Sequence, residues 1–115
     1  MINDNTIKLI AKSLDRKCTG RENMISKGRL LDLLAEAKNP IVLDLDSLKE
    51  VMHTIRKKKL CTGALIETGA CYYITNDQKD IEEYIDYLEK RAKEILSIQK
   101  EMKKYINKKN STTIL

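Results

Sequence analysis

From Asp77 to about Lys108 the chain contains no glycine and no proline, and its apolar residues keep strict step. Ile81, Ile85, Leu88, Ala92, Ile95, Gln99, Met102 and Ile106 are separated alternately by four and three residues. That is an unbroken heptad seam with one polar interruption, Gln99. About 32 residues at 1.5 Å each span roughly 48 Å, longer than a small domain needs for its own packing. Such a helix either folds back along its own domain or pairs with a second copy. The regularity of the seam favours pairing, so Ile81, Ile85, Leu88, Ala92, Ile95, Met102 and Ile106 are the expected contacts of a homodimer. Tyr84, Tyr87, Ile98 and Tyr105 lie beside the seam and widen it.

The remainder reads as one small domain, giving an expected division into residues 1–76, a long helix over 77–109, and a tail over 110–115 without structural signal. Ile7, Ile10, Ala11 and Leu14 recur at helical spacing behind a cap at Asn5 or Thr6. Ser26 caps a second helix, "KGRLLDLLAEAK", with Leu30, Leu31, Leu34 and Ala37 on one face. Asn39-Pro40 stops it, because the residue before proline avoids the helical region. Asp44 or Asp46 opens a third helix that turns Leu48, Val51, Met52 and Ile55 inward. Two extended runs follow, "LCTGALI" and "ACYYIT", joined by "ETG" as a hairpin. Tyr72 and Tyr73 face opposite sides of that hairpin, so one packs on the helices and the other meets the base of the long helix. The expected fold is mainly α with a β-hairpin: a winged helix-turn-helix followed by a long coiled-coil-like helix.

Several segments then resemble a known family. "ISKGRL", "IRKKK", "LCTG", "GACYYIT" and "KDIEEYIDYLEKRAKEI" occur in that order between Ile25 and Ile95. They are similar to small winged-helix proteins encoded by bacteriophages and prophages of Gram-positive bacteria, distant relatives of the winged-helix domain of the biotin-operon repressor. The resemblance covers roughly Met24 to Ile106. It implies the winged fold and a bacterial host cell as the setting.

Charge sharpens the functional expectation. The net charge of +5 lies entirely in residues 1–59, which hold thirteen Lys/Arg against eight Asp/Glu; residues 60–115 hold nine of each. A basic patch neutralises phosphates and releases counterions. In a winged helix the third helix enters the major groove, which nominates Ser47, Lys49, His53, Arg56, Lys57 and Lys59. Lys27 and Arg29, at the start of the second helix, add phosphate contacts. The expected function is a dimeric DNA-binding regulator or accessory factor of a phage or mobile element, with double-stranded DNA as partner. The alternative is an inhibitor of a host or defence protein, contacting it through the acidic mouth of the third helix and an apolar hairpin patch of Ala64, Leu65 and Ile66.

Other chemistries find little support. One histidine makes no histidine-based metal site, the four glycines form no phosphate loop, and no serine sits in a nucleophile elbow. No catalytic residue, metal or cofactor is expected. Cys18, Cys61 and Cys71 lack ligand spacing; Cys61 and Cys71 sit in apolar runs, where thiols act as small hydrophobes. With no signal peptide and no run of about 20 apolar residues, a cytoplasmic location is expected.

Overall fold

The computed structural model describes residues 2–111, with side chains through residue 106. Four helices and a small three-stranded antiparallel sheet follow the order α1 (Asp4–Lys17), β1 (Ile25–Ser26), α2 (Lys27–Ala35), α3 (Leu45–Lys58), β2 (Ala64–Thr68), β3 (Cys71–Thr75) and α4 (Gln78–Ser111). The chain divides into two compact units, Met1–Ile81 and Glu82–Leu115. The end of the expected tail, from residue 112, lies outside the described residues.

Helix boundaries in the first unit are set by side-chain caps. The Asn3 carboxamide accepts the Thr6 N–H at 2.8 Å, so α1 starts earlier than a cap at Asn5 or Thr6 would allow. Ser26 accepts the Arg29 N–H at 3.1 Å to open α2, and Asp44 accepts the Ser47 N–H at 2.7 Å to open α3. Each satisfies a donor that the first turn leaves without an intrahelical partner. The expected apolar stripes converge. Ile10, Ala11 and Leu14 of α1, Leu30 and Leu34 of α2, and Leu48, Val51, Met52 and Ile55 of α3 are all buried in one core. Ala37 is exposed, because α2 ends at Ala35 and the chain bends before Pro40.

α3 ends in a tight turn. Lys59 adopts a left-handed conformation (φ 54°), its N–H donates to the Arg56 carbonyl, and the Leu60 N–H donates to the Ile55 carbonyl. This pair of bonds closes a helix C-terminus, with Leu60 tucked against the core. The turn takes up residues the sequence suggested for the first strand, so β2 begins at Ala64, not Leu60. Just before it, Gly63 permits a close approach: a Cβ there would lie 2.7 Å from the Thr75 carbonyl oxygen.

The hairpin loop is shorter than expected. Thr68 pairs with Cys71, leaving Gly69-Ala70 as a two-residue turn with positive φ (57°) only at its first position, where glycine is unstrained. β3 is the central strand, and β1 completes the sheet through Ile25↔Tyr72 and Ser26↔Cys71. Two residues are too short to leave a periodic signature, and so β1 was not legible in the pattern.

Tyr72 and Ile74 face the helical core together with Leu65. Tyr73 and Ile66, paired across the strands, lie on the opposite face and are equally buried. The Arg21 guanidinium sits 5.8 Å from the Tyr73 ring centroid and donates to Asp80 Oδ1 at 2.8 Å. Asp80 belongs to the first turn of α4, which starts where Asp77 accepts the Asp80 N–H. The Asp77 N–H in turn donates to the buried Thr75 hydroxyl.

In the second unit α4 continues as an uninterrupted helix. Its 34 residues span about 51 Å. Ile85, Leu88, Ile95, Met102 and Ile106 are each roughly half or more exposed.

Replacing Ile55 with alanine is expected to cost about 2–5 kcal/mol, much of the stability of a domain this size, measured by urea unfolding. Lys59→Gly, by relieving a left-handed lysine, should raise stability by about 1 kcal/mol in the same assay.

Candidate nucleic-acid interface

Because Leu48, Val51, Met52 and Ile55 consume one face of α3, the residues a quarter-turn or more away must face solvent. At 100° per residue, Arg56 and Lys49 fall on one flank, His53, Asp46, Lys57 and Glu50 follow within about 60° across the outward face, and Thr54 lies on the other flank. Lys49, His53 and Lys57 are exposed. The outward face is therefore mixed in charge, with Asp46 and Glu50 towards its N-terminal end and Lys57 towards its C-terminal end.

Arg56 is only partly available. Its Nε donates to the Leu65 carbonyl of β2 at 3.0 Å and the side chain is half-buried. It works as a strut between α3 and the hairpin. Lys59 is exposed just beyond the end of α3, held in its left-handed turn. Lys58 reaches Asp4 of α1 at 3.6 Å.

The other nominated residues are occupied in different ways. Ser47 is half-buried and gives its N–H to the Asp44 cap; those bonds hold the Asp44 carboxyl below the usual carboxylate range. Lys27 is half-buried, forms an ion pair with Glu67 of β2, and lies 5.5 Å from the Tyr72 ring centroid. The hydrogen bond to Glu67 keeps the Lys27 ammonium above the usual lysine range. The pair also neutralises the one acidic residue near the hairpin turn. Arg29 is exposed and reaches Glu36 at 3.9 Å. Thus Lys49, His53, Lys57 and Lys59 remain exposed, while Lys27 and Arg56 chiefly hold the hairpin in place.

The apolar patch expected at Ala64, Leu65 and Ile66 does not form. Leu65 and Ile66 are buried, because the hairpin presents an apolar side chain to each of its two covered faces. Among the described residues no group of three His, Cys, Asp or Glu is placed to hold a metal ion, and no helix is long and apolar enough to cross a membrane.

Two residues not nominated from the sequence organise this region. The Asp15 carboxylate of α1 accepts the Thr62 N–H at 3.0 and 3.1 Å and the Thr62 hydroxyl at 3.0 Å, fixing the chain between α3 and β2. Arg21 ties Tyr73 to Asp80. Both act across more than 45 positions of sequence, where no local spacing rule reaches. Cys61 lies beneath the same clamp and donates through Sγ to the Ala11 carbonyl at 3.5 Å. Burial, followed by the negative charge of Asp15, pushes its thiol up to about 12. Burial raises Cys18 as well, with Lys17 partly opposing it.

No family model, no curated protein and no solved structure matches the chain.

In native protein at pH 8, a disulfide reagent is expected to leave buried Cys18 unmodified until denaturant is added and to react slowly with Cys61, whose thiol is held protonated. Reaction of Cys18 as fast as in denaturant would contradict its burial. The unfolded thiol titrates near 9 and folded Cys61 near 12. The contribution of Cys61 to stability should therefore be constant below pH 9 and be lost as pH rises towards 12, a trend that denaturant melts of the wild type and a Cys61→Ala variant would separate.

Proposed function

We propose that the first unit is a winged helix-turn-helix domain that docks on double-stranded DNA. In this reading the protein is a dimeric regulator or accessory factor of a phage or mobile element, with α4 as the dimerisation element. The observation that carries the reading is the exposed basic row of Lys49, His53 and Lys57 on α3, with Lys59 exposed just beyond its end. It lies on the helix that a winged domain places in the major groove, beside the element that would serve as the wing. The order helix, short strand, helix, helix, hairpin supports the same assignment, with β1 returning onto the hairpin through β3. The sequence resemblance to phage winged-helix proteins supplies the setting.

The division of charge on α3 sets the manner of binding. Lysines at the C-terminal end of the helix track the phosphate backbone, which positions a protein without reading sequence. Asp46 and Glu50, near the N-terminal end, are repelled by phosphates and can only accept from groups such as the cytosine amine. Binding is thus dominated by counterion release, with modest discrimination between sequences. Burial of Leu65 and Ile66 removes the apolar half of the contact surface of the protein-inhibitor alternative, whose acidic half, Asp46 and Glu50 of α3, is exposed.

Fluorescence polarisation with a mixed-sequence duplex tests this. With Lys49, Lys57 and Lys59 each neutralising one phosphate, raising salt from about 50 to about 200 mM should weaken binding about fortyfold. A Lys49→Glu/Lys57→Glu variant, whose side chains hold no part of the fold together, should not bind. Absence of binding at the lower salt, or equal binding by the variant, would overturn the reading.

A further inference from the structure

The charges along α4 are segregated over a longer distance than a lone helix requires. Asp80, Glu82, Glu83, Asp86 and Glu89 place five carboxylates in the first three turns with no lysine or arginine of the helix between them, and Arg21 already pairs with Asp80. Lys100, Lys103 and Lys104 lie near the other end against Glu101 alone. The helix macrodipole favours this polarity only within the first and last turns, whereas the segregation here extends over ten residues. Local ion pairs exist, Glu89–Lys93, Arg91–Glu94 and Glu101–Lys104, but they sit within each half and leave the asymmetry between halves in place. Along the same helix runs the exposed apolar seam.

We propose that α4 pairs antiparallel with α4 of a second copy, a refinement that rests on the self-association reading above. Side by side in the same direction, the two acidic halves would face each other and so would the two basic halves. Reversed, each acidic half meets a basic half. The seam accepts the reversal in one register. Ile85 meets Met102 of the second copy, Ala92 meets Ile95, and Leu88 meets Gln99. A small side chain opposite a large one fills the middle layers. Glu82 and Lys103, both flanking the seam, then lie within about 3 Å of each other along the axis, once at each end. A parallel pair would stack Gln99 on Gln99, which is its one advantage. Against it stand Glu82, Glu83, Asp86 and Glu89 of both copies gathered at one end.

Zero-length carboxylate–amine cross-linking of the unmodified protein decides the matter, with sedimentation analysis alongside. Within one helix Glu82 and Lys103 are 21 residues apart, about 32 Å, so a peptide joining them can only come from two copies. The expected result is a dimer yielding Glu82–Lys103 cross-links. Glu82→Lys and Lys103→Glu should each weaken the dimer about tenfold, and the double variant should restore it. A dimer without that cross-link, or no restoration in the double variant, would overturn the antiparallel arrangement while leaving self-association intact. A monomer at tens of micromolar would overturn both, and the seam would then be a surface for a different protein. Neither outcome depends on whether DNA binds.

Discussion

The packing of α3 against the sheet is the constraint from which most of the first unit follows. Four apolar side chains of one helix are consumed by the core, and the Arg56 strut fixes the helix to the Leu65 carbonyl. Once that face is spent, the outward face is determined, and with it the strip of Lys49, His53 and Lys57. The left-handed turn at Lys59 and the close approach at Gly63 bring β2 back onto the helix it has just left. Losing that packing would free the helix, the hairpin and the basic strip together.

The hairpin is unusual for a two-residue-loop ribbon in being covered on both faces. Leu65, Tyr72 and Ile74 enter the helical core, while Ile66 and Tyr73 are buried opposite. Alternation along a strand normally yields one wet face and one dry; here both tyrosines are dry. Arg21 stacks near Tyr73 and bonds Asp80, and Thr75 supports the Asp77 cap. The start of α4 is thereby fastened to the sheet, and the first unit accordingly extends to Ile81 instead of ending at the last strand. A strand leading straight into a helix is tolerable when the junction's polar groups are satisfied by each other.

Electrostatics in the chain divides into charges that hold structure and charges that remain outward. Lys27 with Glu67, Arg56 with the β2 backbone, Asp15 with Thr62 and Arg21 with Asp80 belong to the first kind. An ion pair with one partner already committed offers a phosphate little. Lys49, Lys57 and Lys59 belong to the second kind, and the proposed docking on DNA rests on them. Counting lysines and arginines overstates the binding surface, since the count cannot tell a strut from a contact.

Element identity and order were legible from residue pattern alone, as the three short helices, the hairpin and the long helix all occur, but the start of α1 and the bounds of β2 and its turn were not. Spacing also determined which side chains of α3 point inward, because a helix that buries Leu48 and Val51 must bury Met52 and Ile55 too. Tertiary structure alone decided what pairing across long separations controls. β1 exists only because β3 is there to bond it. The hairpin turn tightened to Gly69-Ala70 because Thr68 and Cys71 found register, and Ile66 was buried because both faces of the ribbon are covered. Lys27 and Arg56 became struts because Glu67 and the Leu65 carbonyl lie beside them in space. Local sequence dictates dihedral preference and the side of an element that is apolar; which charge is spent on which partner depends on distances that only the folded chain sets.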